Sequence, residues 1–307
     1  MKLLVVDDIH SVFLEKTRQA GFVVDYFPEL DRTGTEEIIG DYQGLVIRSK
    51  FAVDAAFMDK AFDLKVIARA GAGLDNVDDL TAAKRGIALL NAPEGNRQAV
   101  AEHMLGMLLS LLNHLHVAHG EIRDHHWLRE ENRGLQLSGR TIGLIGFGNN
   151  GQAIARCFSG FDVKVLAYDK YHADFDSPYA RSVSLDELKA KADVLSLHIP
   201  LTMETRGWID QGFIDSFQKP FVFLNGARGE IVHLPAILQG LRSGKIMGAA
   251  FDVLPTEKFP ALGEETWFEE LANHPQVLLS PHVAGWTVES YHDIASVLAD
   301  KVIALLV

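Results

Sequence analysis

The sequence predicts an α/β chain built from two doubly wound parallel sheets. Short apolar runs alternate with amphipathic stretches along most of the 307 residues, the pattern of parallel strands joined by crossover helices. The alternation stops once, after Pro93, at a long apolar helical stretch, and then restarts, so the chain reads as two series. The composition, 48% hydrophobic and 23% charged, provides for a sizeable core, and the length suits two ordinary domains.

In the first series, "KLLVV" (2–6), "FVVDYF" (22–27), "GLVIR" (44–48), "KVIARA" (65–70) and "GIALLN" (86–91) read as strands. Helical spacing lies between them over 11–20, 34–40, 54–61 and 78–85. Residues 97–119 read as one long helix, apolar on more than one face and therefore buried on several sides. A polar stretch over 120–140 carries Trp127. The second series has strands at 141–148, 164–169, 193–199, 221–226, 248–253 and 277–281, with helices at 151–160, 184–190, 210–215 and 234–243. The closing segment, 287–306, is again helical. The expected domains are 1–93 completed by 287–307, and 94–286.

Charge and cysteine content narrow the function classes. A net charge of −12 disfavours nucleic acid or an anionic membrane as partner. The single cysteine, Cys157, excludes an internal disulfide framework and fits a reducing compartment. The opening "MKLLVVDDIH" has too short an apolar run for a signal peptide, and no run approaches a membrane span. A cytoplasmic protein is the expectation. His114, His116 and His119 cluster near a helix end, but no neighbouring Cys or acid completes a set of ligands, so no metal is expected.

The first chemical signal is "GLIGFGNNGQAIA" at 143–155, with glycines at Gly146, Gly148 and Gly151. The spacing alone is weak: at this glycine content about 0.2 matches arise by chance. Its context is stronger, because the glycines follow a strand and open a helix. Gly146 permits the tight turn, Gly148 lets a pyrophosphate approach the backbone, and Gly151 allows close helix–strand packing. The helix N-terminus then offers free N–H groups to phosphates. Asp169 ends the next strand, where a carboxylate accepts from a ribose 2′-hydroxyl and repels a 2′-phosphate. NAD is the expected cofactor. Asn149 is expected to face solvent and phosphate. Asn150 stands where an apolar residue is usual, and either weakens cofactor binding or adds an amide contact to it.

Eight segments carry a wider likeness. "VIRSKFAVD", "LKVIARAGAGLDNVD", "GIALLNAPEGNRQAVAEH", "LSGRTIGLIGFG", "LSLHIPLTMETRGWI", "FLNGARGEIV", "GAAFDVLPTE" and "LLSPHVAG" occur in this order over nearly the whole chain. Together they resemble the D-isomer-specific 2-hydroxyacid dehydrogenases, and within them the D-3-phosphoglycerate dehydrogenase branch. The resemblance implies a Rossmann nucleotide-binding domain inserted into a flavodoxin-like substrate domain, and a homodimer formed through the nucleotide domain. It also implies an active site of Arg228, Glu257 and His282.

Those residue types suit the implied reaction. Oxidising a 2-hydroxy acid needs a base at the hydroxyl, a cation for the carboxylate and a hydride acceptor. Histidine serves as base near neutral pH, a neighbouring carboxylate favours its imidazolium, and an arginine fork matches a carboxylate. All three follow strands of the second series, where such sheets bind ligands. Glu257 argues against the formate dehydrogenase branch, which carries an amide there.

Other roles follow from the resemblance alone. Asp252 would face the nicotinamide carboxamide, His198 and Pro200 would place backbone along the cofactor, and Asn225 and Ala227 would line the nicotinamide side. Gly71, Ala72 and Gly73 would offer N–H groups to the substrate carboxylate. Arg48, Ser49, Lys50 and Asn96 would hold the far end of the substrate, where two cations suit a phosphate or second carboxylate.

The chain also departs from the pattern. His233 replaces a usual Asp, Ala284 replaces a frequent Gly, and bulky Trp286 stands nearby. These put the substrate in question more than the reaction. The last residue is Val307, so no serine feedback through a further regulatory domain is expected. The implied function is NAD-dependent oxidation of D-3-phosphoglycerate to 3-phosphohydroxypyruvate in serine biosynthesis. The alternatives are a glyoxylate, hydroxypyruvate or other D-2-hydroxyacid reductase, and a non-catalytic NAD-sensing regulator.

Overall fold

The computed structural model describes residues 1–306. The chain divides into two compact units, Met1–Arg97 with Trp286–Val307, and Gln98–Gly285. The expected boundaries lay at 93/94 and 286/287. The first moves to 97/98 because a helix starting at Pro93 packs its first turn on the closing helix: a Cβ on Gly95 would stand 2.5 Å from the Ile294 amide nitrogen.

Unit 1 contains strands β1 (Lys2–Val5), β2 (Val23–Tyr26), β3 (Gly44–Ile47), β4 (Val66–Arg69) and β5 (Ala88–Asn91). Helices α1 (Ser11–Gln19), α2 (Arg32–Ile38), α3 (Ala55–Met58) and α4 (Asp79–Lys84) connect them. The sheet runs β2-β1-β3-β4-β5, all parallel, the flavodoxin-like order. Its strands read as continuous apolar runs because both faces are covered. Leu3 and Val5 join a core with Phe13, Ile294 and Leu298, while Leu4 and Val6 join another with Ile39, Phe57 and Ile67. Asp31, Asp54 and Asp78 cap α2, α3 and α4 by accepting from backbone N–H groups.

α5 (Pro93–Leu112) leads from unit 1 into unit 2, where α6 (Leu115–Arg123) follows it. The single helix expected over 97–119 is therefore corrected to two. The break lies at Asn113 and His114, the latter in the left-handed region at φ 52°. The Leu135 N–H donates to the Leu112 carbonyl at 2.8 Å, so a distant segment caps the end of α5. Met104, Leu108 and Leu111 of α5 pack into a core of unit 2, whereas no residue of α6 is buried.

Unit 2 continues with β6 (Thr141–Ile145), α7 (Asn149–Phe158), β7 (Lys164–Tyr168), β8 (Arg181–Ser182), α8 (Leu185–Lys191), β9 (Val194–Leu197), α9 (Gln211–Asp215) and β10 (Phe221–Asn225). After these come α10 (Leu234–Arg242), β11 (Ile246–Phe251), α11 (Ala261–Glu264), α12 (Phe268–Ala272) and β12 (Val277–Leu279). The sheet order β12-β11-β10-β9-β6-β7-β8, all parallel, contains the Rossmann order around β6. β8, α11 and α12 were not anticipated; all are short. α13 (Val288–Leu306) returns to unit 1 and buries Ile294, Leu298 and Val302 with Phe13 of α1.

Candidate active site

Three neighbouring strands of unit 2 end in register. Asn225 pairs with Phe251, and Phe251 with Leu279. The loops leaving these ends carry Arg228, Glu257 and His282, so sheet order converges residues far apart in sequence.

Each loop is held by its own device. After β10, fully buried Asn225 staples its turn, accepting from the Ala227 N–H at 3.0 Å and donating to the Arg228 carbonyl at 3.0 Å. The half-buried Arg228 donates through Nη1 to the Ala227 carbonyl at 2.6 Å, which orients the fork. Gly229 is required because a Cβ there would meet the Leu254 carbonyl carbon at 2.0 Å. After β12, the His282 backbone lies in the left-handed region at φ 56°. Its N–H donates to the Asp252 carbonyl at 2.8 Å.

That conformation presents the His282 imidazole to Glu257, with Nδ1 2.9 Å from Oε2. The Glu257 hydrogen bond raises the His282 pKa above its ordinary 6.5. Burial opposes the rise, the charges of Glu257 and Asp252 add to it, and Arg228 works against it. With Nδ1 committed to Glu257, Nε2 is the nitrogen left for chemistry.

Asp252 is 2% exposed and both its carboxylate oxygens are engaged. Oδ1 accepts from Ser280 Oγ at 2.6 Å and the Val283 N–H at 2.9 Å, and Oδ2 accepts from the Ala284 N–H at 2.9 Å. It thus anchors the loop that carries His282. Ala227, expected at the nicotinamide side, is buried in the core together with Asn225.

The glycine turn fits a dinucleotide. Gly146 has φ 93°, and a Cβ on it would stand 2.3 Å from the His198 carbonyl oxygen. A Cβ on Gly151 would stand 2.2 Å from the Gly146 carbonyl oxygen, so helix and turn touch backbone to backbone. A Cβ on Gly148 would meet nothing within 4 Å, which leaves that side of the turn open for phosphates. Asn149 and Asn150 form the first turn of α7, half-buried, and Asn150 Oδ1 is enclosed without a hydrogen-bond partner.

Asp169 accepts from the Phe147 N–H at 2.8 Å on Oδ2, and from Tyr171 and His172 N–H groups at 2.9 and 3.0 Å on Oδ1. Burial works to raise its pKa, but these donors outweigh it and keep the carboxylate below its usual range. One carboxylate therefore fixes the turn and still has a lone pair on Oδ2 for a ribose hydroxyl. His198 is enclosed, with Nε2 2.9 Å from Ser196 Oγ; burial holds its pKa down to about 4, so the ring is neutral at pH 7. Pro200, two residues on, is exposed.

Unit 1 holds the residues expected for the substrate. Asp7 Oδ2 accepts the backbone N–H groups of Arg48, Ser49 and Lys50 at 2.9, 3.1 and 3.2 Å, a nest filled by the chain's own carboxylate. Lys50 turns its ammonium to the carbonyls of Pro28 and Leu30. The Arg48 guanidinium stacks on the Trp286 indole, 4.2 Å from the ring centroid, and no acid pairs with it among the described residues. The Gly71 N–H is spent on the Arg69 carbonyl at 2.9 Å, which leaves Ala72 and Gly73 to supply the expected amide donors. Asn96 Oδ1 is enclosed and unpartnered. Sequence reasoning missed Asp7, Ser280 and His103. None has a local signature, because each acts across the fold.

Comparison with known proteins agrees with this architecture. The family profile "D-isomer specific 2-hydroxyacid dehydrogenase, NAD binding domain" matches residues 105–284. The chain is 32% identical over 305 residues to a D-3-phosphoglycerate dehydrogenase of Archaeoglobus fulgidus, covering 99% of this chain and 57% of that protein. It is 34% identical over 273 residues to a hydroxypyruvate reductase of Thermotoga maritima, covering 89% of this chain and 88% of that protein. A crystal structure of D-lactate dehydrogenase from Aquifex aeolicus complexed with NAD and lactic acid superposes with TM-score 0.81 at 25% identity, over 100% of this chain and 95% of that one.

The chain belongs to the D-isomer-specific 2-hydroxyacid dehydrogenase family, and its cofactor is NAD. It spans about half the length of most of the phosphoglycerate dehydrogenases it matches. No helix among the described residues is long and apolar enough to cross a membrane.

The glycine geometry makes one consequence measurable. Gly151→Val places side-chain carbon against the Gly146 carbonyl. Overpacking of this kind costs about 1–3 kcal/mol of folding stability, so the melting temperature is expected to fall by about 2–12 °C. Thermal unfolding checks this, and an unchanged melting temperature would refute the assigned packing.

Proposed function

We propose that this chain is an NAD-dependent D-2-hydroxyacid dehydrogenase that oxidises D-3-phosphoglycerate to 3-phosphohydroxypyruvate, a reaction that feeds serine synthesis. The observation carrying the reaction type is the His282–Glu257 pair, set beside Arg228 by three strands ending in register. His282 Nε2 takes the proton of the substrate hydroxyl, and Glu257 stabilises the imidazolium that results. Arg228 pairs with the substrate carboxylate and polarises the reacting carbon–oxygen bond. Residues 146–151 and Asp169 would hold NAD, which would supply the acceptor for the C2 hydride. The phosphate reading is supported by Arg48, a cation stacked on Trp286 that no acid pairs with among the described residues.

A second reading, a hydroxypyruvate or glyoxylate reductase, is favoured by Lys50. Its ammonium is occupied by the Pro28 and Leu30 carbonyls, so Arg48 is left as one cation where two were expected. Turnover of a panel of 2-hydroxy and 2-keto acids with NAD(H) and NADP(H) separates the readings. Activity with glyoxylate but not phosphoglycerate would overturn the first. NADH binding with no turnover at all would point to an NAD-sensing regulator.

We also propose that two copies pair through unit 2 in the cytoplasm. α6 buries no residue and exposes Leu115 and Ile122, and Trp127 follows at 83% exposure. The lone Cys157 suits a reducing compartment. A monomer in light scattering would refute the dimer.

The Glu257 pairing sets a pH signature. Oxidation needs neutral His282, so kcat/KM should rise with pH through the raised pKa. Glu257→Gln removes the charge that raises it. The rise should then move to lower pH, towards the ordinary histidine value of about 6.5, and pH–rate profiles of the two proteins check it. A shift to higher pH would contradict the assignment.

A further inference from the structure

His103, on α5, reaches the loop that carries His282. Its Nε2 lies 2.9 Å from Ser280 Oγ and 3.6 Å from Asp252 Oδ1. Ser280 Oγ lies in turn 2.6 Å from Asp252 Oδ1. A hydroxyl carries one proton. Two oxygens 2.6 Å apart, one of them a carboxylate's, need that proton between them, so Ser280 donates to Asp252. Ser280 Oγ is then the acceptor toward His103, which fixes the proton on His103 Nε2. The result is a directed relay from His103 through Ser280 to Asp252.

The relay ends on the group that shapes the loop. Asp252 accepts from Ser280 Oγ and from the Val283 and Ala284 N–H groups, and its carbonyl accepts from His282 N–H. His282 itself holds a left-handed backbone, which a non-glycine residue keeps only when its surroundings impose it. Asp252 is 2% exposed, so a lost donor there is not replaced freely by water.

We propose that His103 and Ser280 are positioning residues, which hold the Asp252 carboxylate and through it keep the His282 imidazole on Glu257. The charged and titratable groups around His282 are Glu257 beyond β11, Asp252 at its end and Arg228 beyond β10. His103 acts from α5 only through Ser280 and Asp252. The inference rests on the catalytic role given to His282 above, but its test does not need turnover.

The experiment is an NMR titration of the His282 imidazole, assigned by its disappearance in His282→Asn, in the parent chain and in Ser280→Ala, His103→Leu and His103→Gln. The parent is expected to titrate above the ordinary histidine value. In folded Ser280→Ala and His103→Leu the pKa should fall towards about 6.5. His103→Gln, which keeps an N–H donor of similar reach, should retain the parent value. With an active substrate, kcat should fall about 10- to 100-fold in the first two variants, with KM within about twofold, and recover with Gln. Two outcomes overturn the proposal: a His282 titration unchanged in folded Ser280→Ala and His103→Leu, or a Gln variant as impaired as the Leu variant. Should no 2-hydroxy acid turn over, the titration still decides it.

Discussion

Replacing His282 by Asn is expected to lower kcat about 100- to 10,000-fold, the range that a positioned proton-transfer group contributes. Asparagine is the informative substitution because the site is left-handed, with φ 56°. Among side chains other than glycine, Asn and Asp adopt that region most readily. The loop therefore keeps its shape, with the residue 282 N–H still on the Asp252 carbonyl and the Val283 and Ala284 N–H groups on its carboxylate. What is lost is the nitrogen free to take a proton while its partner is held 2.9 Å from Glu257. Steady-state kinetics beside an NADH titration test this. Turnover should collapse while NADH affinity stays within about threefold, because proton transfer and cofactor binding use different groups. A variant keeping kcat within tenfold of the parent would remove His282 from the reaction.

Much of the architecture is legible because doubly covered parallel strands leave a strong local trace. Residues 3–6 are all apolar, since alternate side chains feed two separate cores. The same holds for Val222, Phe223 and Leu224, which divide between the two faces of the other sheet. The break between α5 and α6 left no such trace. Asn113 and His114 sit in an apolar helical pattern, and what ends α5 is the Leu135 N–H arriving from a distant segment. A helix stop imposed from elsewhere in the fold has no local sequence signal. β8, at two residues, is too short to show a period.

The candidate site divides along the same line. Gly146, Gly148, Gly151 and Asp169 are readable because a phosphate turn is local, and its demands on Cβ space act within a few residues. Arg228, Glu257 and His282 were readable by resemblance, and sheet order explains why residues so separated converge. The filled Asp7 nest and the retracted Lys50 were not readable, because both depend on long-range partners. They bear on the substrate, since an ammonium spent on two carbonyls offers less to a phosphate than its place in the sequence suggests.

Arg228→Lys separates geometry from charge in the same machinery. The turn that carries Arg228 is fixed by Asn225, and Nη1 is fixed on the Ala227 carbonyl, so the guanidinium plane is set in advance. Lysine keeps the positive charge but loses the planar fork that meets a carboxylate with two parallel N–H bonds. Loss of one such preorganised donor at developing charge typically costs about 100- to 1,000-fold, and kcat/KM is expected to fall by that much. The pH profile should hardly move, because the charge that opposes the His282 pKa remains. Arg228→Met removes both fork and charge. It should lose at least as much activity and also shift the rise of kcat/KM to higher pH, since His282 then meets the carboxylates of Glu257 and Asp252 without a neighbouring cation. The two profiles, measured together, assign the fork to substrate binding and the charge to tuning the base. A lysine variant within tenfold of the parent would show that charge alone suffices and that the fork has no part in recognition.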